Sequence, residues 1–402
     1  MIATAFFVSV SLLLGAAGAI SKHPLVLLVA IDGFGFDYLD RGLTPVIQRL
    51  KENGSSARYM YNAFPTVTAP NFFTISTGLH PEVHGVIGNR AFNENHVCLW
   101  QNEDMDQLFH YDDRVIPLWT LNELSGEDRY SATLGWPSSE YDYRNHPIAH
   151  NDLNRIENSS EKIDQTIRWF LDDDKPTNLA FLYFGQLDAM GHKYGPNSAE
   201  VNSTLQEVDV TINYLLTELV KYNLRDKMNI IILSDHGMLE VPKENLIDFR
   251  DWLKNDSYKA CGESPYWQIK IEPGHEQEVY NKLKDEANKL GTFAVYRKEE
   301  IPERWHVKHT KRQADLLLVA KPNYGFYDAV QFEGDHGYDP DADIRVRPLF
   351  IASGPAFKEK CVIEPFNNLD IFPLVSKMLH LKEPLIKPNG TITFIKDILK
   401  NP

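Results

Sequence analysis

Residues 25–34, LVLLVAIDGF, open with seven apolar residues in unbroken succession, Leu25 to Ile31. A strand with one wet face alternates polar and apolar residues, so a short run without alternation predicts a strand buried on both faces. The run stops at Asp32-Gly33-Phe34. Two further runs share this form: Asn178 to Phe184 (NLAFLYF), with Asp188 beyond it, and Asn229 to Leu233 (NIIIL), which enters Ser234-Asp235-His236-Gly237. Helical spacing fills the intervals. Thr44 to Glu52 and Pro70 to Thr77 read as helices, as do Glu161 to Phe170 and Ala199 to Tyr222. In the last of these Val201, Leu205, Val208, Ile212, Leu215, Leu216 and Leu219 form an apolar stripe. Strands alternating with helices predict an α/β fold, a mostly parallel central sheet with helices on both faces.

Trp267 to Ile271, the helix Glu276 to Leu290, Thr292 to Tyr296 and Leu316 to Ala320 read as a small α+β insertion at about 240–325. A strand at Pro348 to Ala352 and a helix at Asn368 to Leu379 close the chain. The acidic segment Ala91 to Asp113 reads as a surface loop region, and Ser138 to Asn158 as a long irregular loop.

The 402 residues, 43% hydrophobic and 24% charged, are enough for one large domain with an ample core. A formal charge of −15 repels phosphates at long range, which argues against binding nucleic-acid polymers or anionic membranes. It leaves room for a small phosphate substrate, because bound cations reverse the local field. Residues 2–14 are apolar but too short to span a bilayer, and Ala17-Gly18-Ala19 fits a signal-cleavage site. Residues 1–19 therefore read as a signal peptide, with a short uncleaved anchor as the alternative, and residues 20–402 as one secreted, extracellular domain without a membrane span. Sequons at Asn53, Asn158, Asn202, Asn255 and Asn389 agree with that route. Cys98, Cys261 and Cys361 allow at most one internal disulfide.

Asp32, Asp188 and Asp235 each follow a strand, and ligands of open α/β sheets bind at that edge. His192 lies four residues after Asp188, His236 is adjacent to Asp235, and His336 sits in Gly334-Asp335-His336-Gly337. Singly, each reads equally as a turn acid or a surface pair. Together, mixed carboxylate and imidazole donors suit zinc better than magnesium or calcium. Thr68, just ahead of Pro70, reads first as a helix N-cap. The same place at a helix start also favours an anion.

These segments resemble the ecto-nucleotide pyrophosphatase/phosphodiesterase family of the alkaline phosphatase superfamily, in its compact single-domain form. The shared stretches are AIDGF at 30–34, PTVTAPN at 65–71, TGLHPEVHG at 77–85, LDAMGHKYGP at 187–196, LSDHGM at 233–238 and GDHGYD at 334–339. The resemblance implies an alkaline-phosphatase-like fold and two zinc ions. One would be held by Asp188, His192 and His336, the other by Asp32, Asp235, His236 and the Thr68 hydroxyl. Thr68 would be the nucleophile, forming a phosphothreonine intermediate, and Asn89 a side-chain donor to the phosphate. The implied substrate is a small phosphodiester, nucleotide or dinucleotide, cleaved at a phosphodiester or pyrophosphate bond.

Two positions depart from that pattern. Nucleotide-hydrolysing relatives carry Phe or Tyr after the nucleophile, where this chain has Ala69; Tyr141, Tyr143 or His150 are then candidates to stack on a base. An acid found in many members before the zinc-binding Asp is replaced by Gly185-Gln186-Leu187. The acidic run from Glu103 to Asp113, with Trp100 and Tyr111, suggests a choline-type head group as the alternative substrate. A catalytically silent interaction domain is the non-enzyme alternative. Thr68-Ala69-Pro70-Asn71 lacks the modifiable Cys or Ser of a sulfatase signature.

Overall fold

The computed structural model describes residues 19–100, 104–152, 156–327 and 332–401; most of the signal segment and Glu103 lie outside them. Among the described residues no helix is long and apolar enough to cross a membrane. The strand Leu25–Ile31 lies inside an eight-stranded sheet, flanked in parallel by Leu179–Phe184 and Met228–Leu233. Its alternate residues feed two different cores. Val26, Leu28 and Ala30 join the core beneath the helices Thr68–Thr77, Leu118–Leu124 and Ile371–Leu379. Leu25, Leu27, Val29 and Ile31 join the one beneath Pro45–Asn53, Ser159–Phe170 and Ala199–Lys221. Burial on both faces is why the run never alternates.

The sheet is mixed rather than wholly parallel. Phe350–Ser353 pairs antiparallel with Met228–Leu233 and with Ser55–Ala57, while Ser131–Leu134 and His150–Asp152 continue the parallel side to the far edge. A second sheet of four antiparallel strands, Tyr258–Glu263, Tyr266–Ile271, Leu316–Ala320 and Phe293–Arg297, packs with the helix Glu276–Leu290 around a core of its own.

Two loop expectations need correction. The segment from Ala91 contains a hairpin, Ala91–Phe92 with Cys98–Leu99, and a helix, Asp104–Phe109, with Phe92, Leu99, Leu108 and Phe109 buried. Apolar residues spaced among the charges dock this segment on the main core. Arg312 fixes it further: its guanidinium donates to the carbonyls of Gly85, Leu108 and Gln107 and lies 4.9 Å from the centre of the Tyr111 ring. A disulfide joins Cys98 to Cys261 and leaves Cys361 free. The loop after Ser138 carries the short strand His150–Asp152 and buries Tyr143.

Asp370 stands at the N-terminus of the closing helix, 1% exposed, with one carboxylate oxygen bonded to the Thr391 N–H and the other without a partner. Burial pushes its carboxyl up to about 6. A raised carboxyl stabilises the fold only while protonated, so its contribution is full below the ordinary value near 3.8 and is lost as pH rises through about 6. Asp370→Asn is therefore expected to raise stability at pH 7.5 by about 1 kcal/mol, with the gain shrinking toward pH 5. Chemical denaturation at the two pH values checks this, and a gain that grows on acidification would contradict it.

Candidate metal centre and active site

The three neighbouring parallel strands deliver their acids to one edge. Asp32 follows Ile31 directly, Asp235 lies two residues beyond Leu233, and Asp188 sits in the first turn of the helix Gln186–Tyr194. The chain turns sharply at Gly33, φ +71°, where an added Cβ would also meet the Asp188 backbone at 3.0 Å. His192 stands one helical turn from Asp188, its Nε2 3.5 Å from Asp188 Oδ1. The loop after Gly334–Asp335 brings His336 Nε2 to 3.3 Å from the same oxygen and 2.9 Å from His192 Nε2.

A second grouping centres on His236 Nε2. Asp235 Oδ2 lies 3.0 Å away, Asp32 Oδ1 3.4 Å and Thr68 Oγ1 3.4 Å. Asp188 reaches toward both: with His192 and His336 it makes one metal-sized cluster, and with Asp32 and His236 a second. All seven residues of the two implied zinc sets thus converge at one edge of the sheet.

The donor set fits cations. Each imidazole bonds through Nδ1 to a backbone carbonyl: His192 to Gly334, His236 to Gly237 and His336 to Thr66, at 2.9, 3.1 and 3.0 Å. A carbonyl only accepts, so Nδ1 carries the proton and Nε2 presents a lone pair to the site. His192 Nε2 and His336 Nε2 lie 2.9 Å apart, close enough to share one cation. Asp32 Oδ1, Asp188 Oδ1 and Asp235 Oδ2 are buried without hydrogen-bond partners. Burial and the neighbouring carboxylates of Asp235 and Asp188 hold Asp32 well above the usual carboxylate range. Burial likewise raises Asp235 to about 6. Divalent ions relieve all of these strains at once.

Thr68 is the first residue of its helix rather than its cap; Val67 holds the cap position and makes no side-chain cap bond. The hydroxyl is thereby left facing His236. The Ala69 N–H donates to Asn89 Oδ1 at 2.8 Å, which ties Asn89 beside Thr68. That bond also sets the carboxamide, with Nδ2 directed away from Ala69.

The aromatic candidates for base stacking are committed elsewhere. Tyr143 is buried against Phe73, His110 and Trp119, Tyr141 lies on Phe109, and His150 stacks on Trp169 in the edge strand. The aromatic faces proposed for a cationic head group already carry arginines, Arg90 over Trp100 at 5.0 Å and Arg312 over Tyr111 at 4.9 Å.

Sequence patterns did not single out two residues at the site. Tyr183, in the strand before Asp188, donates to Asp32 Oδ2 at 2.5 Å; an aromatic at a strand end gives only a faint signal. Glu263 ends a strand of the smaller sheet, 3.8 Å from Arg90, with Oε1 unpartnered. Burial raises its carboxyl to about 7, and it lies within the electrostatic reach of His336 and His192. No motif spacing marks it.

A mixed sheet with nitrogen and oxygen donors gathered at its strand ends, beside a helix-start hydroxyl, is an arrangement suited to metal-assisted phosphoryl hydrolysis. This chain belongs to the type I phosphodiesterase / nucleotide pyrophosphatase family, which matches residues 26–339. It is 32% identical over 95% of its length to the bis(5'-adenosyl)-triphosphatase enpp4 of Xenopus laevis, covering 83% of that protein. To human ectonucleotide pyrophosphatase/phosphodiesterase family member 5 it is 31% identical over 99% of its length and 84% of that protein. A solved structure of murine family member 5, an inactive threonine-to-alanine form in complex with AMP, superposes with a TM-score of 0.86 at 30% identity, covering 94% of this chain and 100% of the other.

Proposed function

We propose that this chain is a secreted, zinc-dependent hydrolase of nucleotide-type phosphodiester or pyrophosphate bonds, with Thr68 as the nucleophile. The observation that carries this reading is the convergence of three Nε2 lone pairs and three unpartnered carboxylate oxygens beside Thr68 Oγ1. In this reading Asp188, His192 and His336 hold one zinc, and Asp32, Asp235, His236 and Thr68 the other. Residues 1–19 are a signal peptide, and residues 20–402 one catalytic domain with an insertion at about 240–325.

When bound, the ions supply Lewis acidity that makes a hydroxyl acidic and stabilises charge on the leaving oxygen. The chain's own groups do the positioning. Thr68 Oγ1 attacks phosphorus as the bond to the leaving oxygen breaks, giving a phosphothreonine and a free alcohol or phosphate. Water then cleaves the threonine–phosphate ester and restores the hydroxyl. Asn89 Nδ2, oriented by the bond from Ala69 N–H to its own oxygen, donates to a phosphate oxygen as charge grows there. The start of the helix Thr68–Thr77 adds its positive end.

The relative bound to AMP supports a nucleotide substrate. So do the arginines on the Trp100 and Tyr111 faces, since a choline group would have to displace them. Ala69 offers no ring to grip a base, so recognition rests on the phosphates more than on the base. The test compares initial rates on a dinucleoside polyphosphate, a nucleoside triphosphate and glycerophosphocholine, with and without chelator. The expected order places both nucleotides at least about tenfold above glycerophosphocholine, a difference of about 1.4 kcal/mol in transition-state binding, with all turnover lost on chelation. Preference for glycerophosphocholine would overturn the substrate class, and turnover that survives chelation would overturn the metal role.

A further inference from the structure

The Asp32 carboxylate has two unlike oxygens. Oδ1 points into the His236 grouping without a hydrogen-bond partner, while Oδ2 accepts from the Tyr183 hydroxyl at 2.5 Å. One oxygen tied outside and one directed inside is how an outer partner fixes the orientation of a carboxylate ligand. The tyrosine is itself held in place. Its backbone pairs with Ala30 in the parallel ladder, its carbonyl accepts from Lys162 Nζ at 3.0 Å, and its ring packs edge-to-face on Phe72 at 5.6 Å.

Two residues on, Gly185 begins the helix that carries Asp188. Its φ of −101° and ψ of 0° are open to most residues, so the backbone does not require glycine there. Space does. A Cβ on residue 185 would lie 2.8 Å from the Tyr183 hydroxyl oxygen, 3.0 Å from Cε1 and 3.2 Å from Cζ. An added methyl at 185 therefore requires the phenol to shift from its place against Asp32.

We propose that Tyr183 is a positioning residue that orients Asp32 toward the second metal, and that the missing side chain at Gly185 is what admits its hydroxyl. The inference rests on the metal-centre reading above. It assigns Gly185 a task at the metal centre that Gly185 performs without touching a ligand. Tyr183→Phe removes the donor and keeps the ring; Gly185→Ala leaves the donor and displaces it.

Zinc binding to the whole chain, titrated against a chromogenic chelator, separates these statements. The wild type is expected to take up two ions. In Tyr183→Phe one of the two steps should weaken by about 10–100-fold, as for other outer partners of metal ligands. The step held by Asp188, His192 and His336 should stay unchanged. Gly185→Ala should weaken the same step, and the double variant should be no weaker than Tyr183→Phe alone, because both changes remove one bond. Should Tyr183→Phe fail to fold, Gly185→Ala decides by the same readout. Wild-type affinity for both ions in either variant would overturn the assignment. Equal weakening of both steps, the mark of a general loosening, would do so too, as would additive losses in the double variant. A wild type that binds no zinc would overturn the metal-centre reading itself, an outcome distinct from each of these.

Discussion

Thr68→Ala is expected to lower diester turnover by about a thousandfold or more while both zinc-binding steps survive. The loss is large because, in the proposed mechanism, the hydroxyl supplies the bond-forming atom. Metal binding should persist because the neutral hydroxyl is the weakest donor of its set. Asp32, Asp235 and His236 remain, with their outer hydrogen bonds intact. Fold should persist as well, since Thr68 makes no cap bond that alanine would forfeit. Single-turnover kinetics with zinc stoichiometry on the same sample checks the separation. Near-normal turnover in the variant would remove Thr68 from the nucleophile role.

The second large effect concerns stability. Reduction of the disulfide, or replacement of Cys98 and Cys261 by serine, is expected to cost about 2–5 kcal/mol. The bond closes a loop with a sequence separation of 163, for which chain entropy alone gives about 5 kcal/mol. Packing of Phe92 and Ala314 around residue 261 remains after the bond is cut, which keeps the cost from exceeding that range. Denaturant titration of the oxidised protein and the double variant measures the difference. Equal midpoints and slopes in the two would show that the hairpin and the second sheet hold each other without the bond.

How far the residues disclose the molecule depends on the range of the interaction. Leu25 to Ile31 announced a doubly buried strand because both faces meet apolar helices, and that is a local pattern. Asp32, Asp188 and Asp235 were legible for a related reason: strand ends in such sheets share an edge. The antiparallel entry of Phe350–Ser353 was not legible, because a short apolar strand reads the same in either direction. Nor was the order within the acidic segment from Ala91. It depends on Arg312, some two hundred residues away, whose guanidinium satisfies the carbonyls of Gly85, Leu108 and Gln107. From its own stretch Thr68 reads first as a cap, because one residue of register separates a cap from a first helical residue and composition does not resolve that step. Tyr183 carries no legible signal, and Gly185 is marked only as part of a stretch that lacks an acid; their relation is one of shape.

The three histidines hang from the carbonyls of Gly334, Gly237 and Thr66, which are main-chain groups. A point mutation deletes a side chain and leaves the peptide carbonyl behind. The tautomers of all three imidazoles are therefore sheltered from ordinary genetic drift so long as the backbone path survives. Asp32 is held differently, through a phenol that one nucleotide change could remove. Divergence within a lineage carrying this fold would thus retune the Asp32 side of the centre first, and leave the imidazoles as its fixed inheritance.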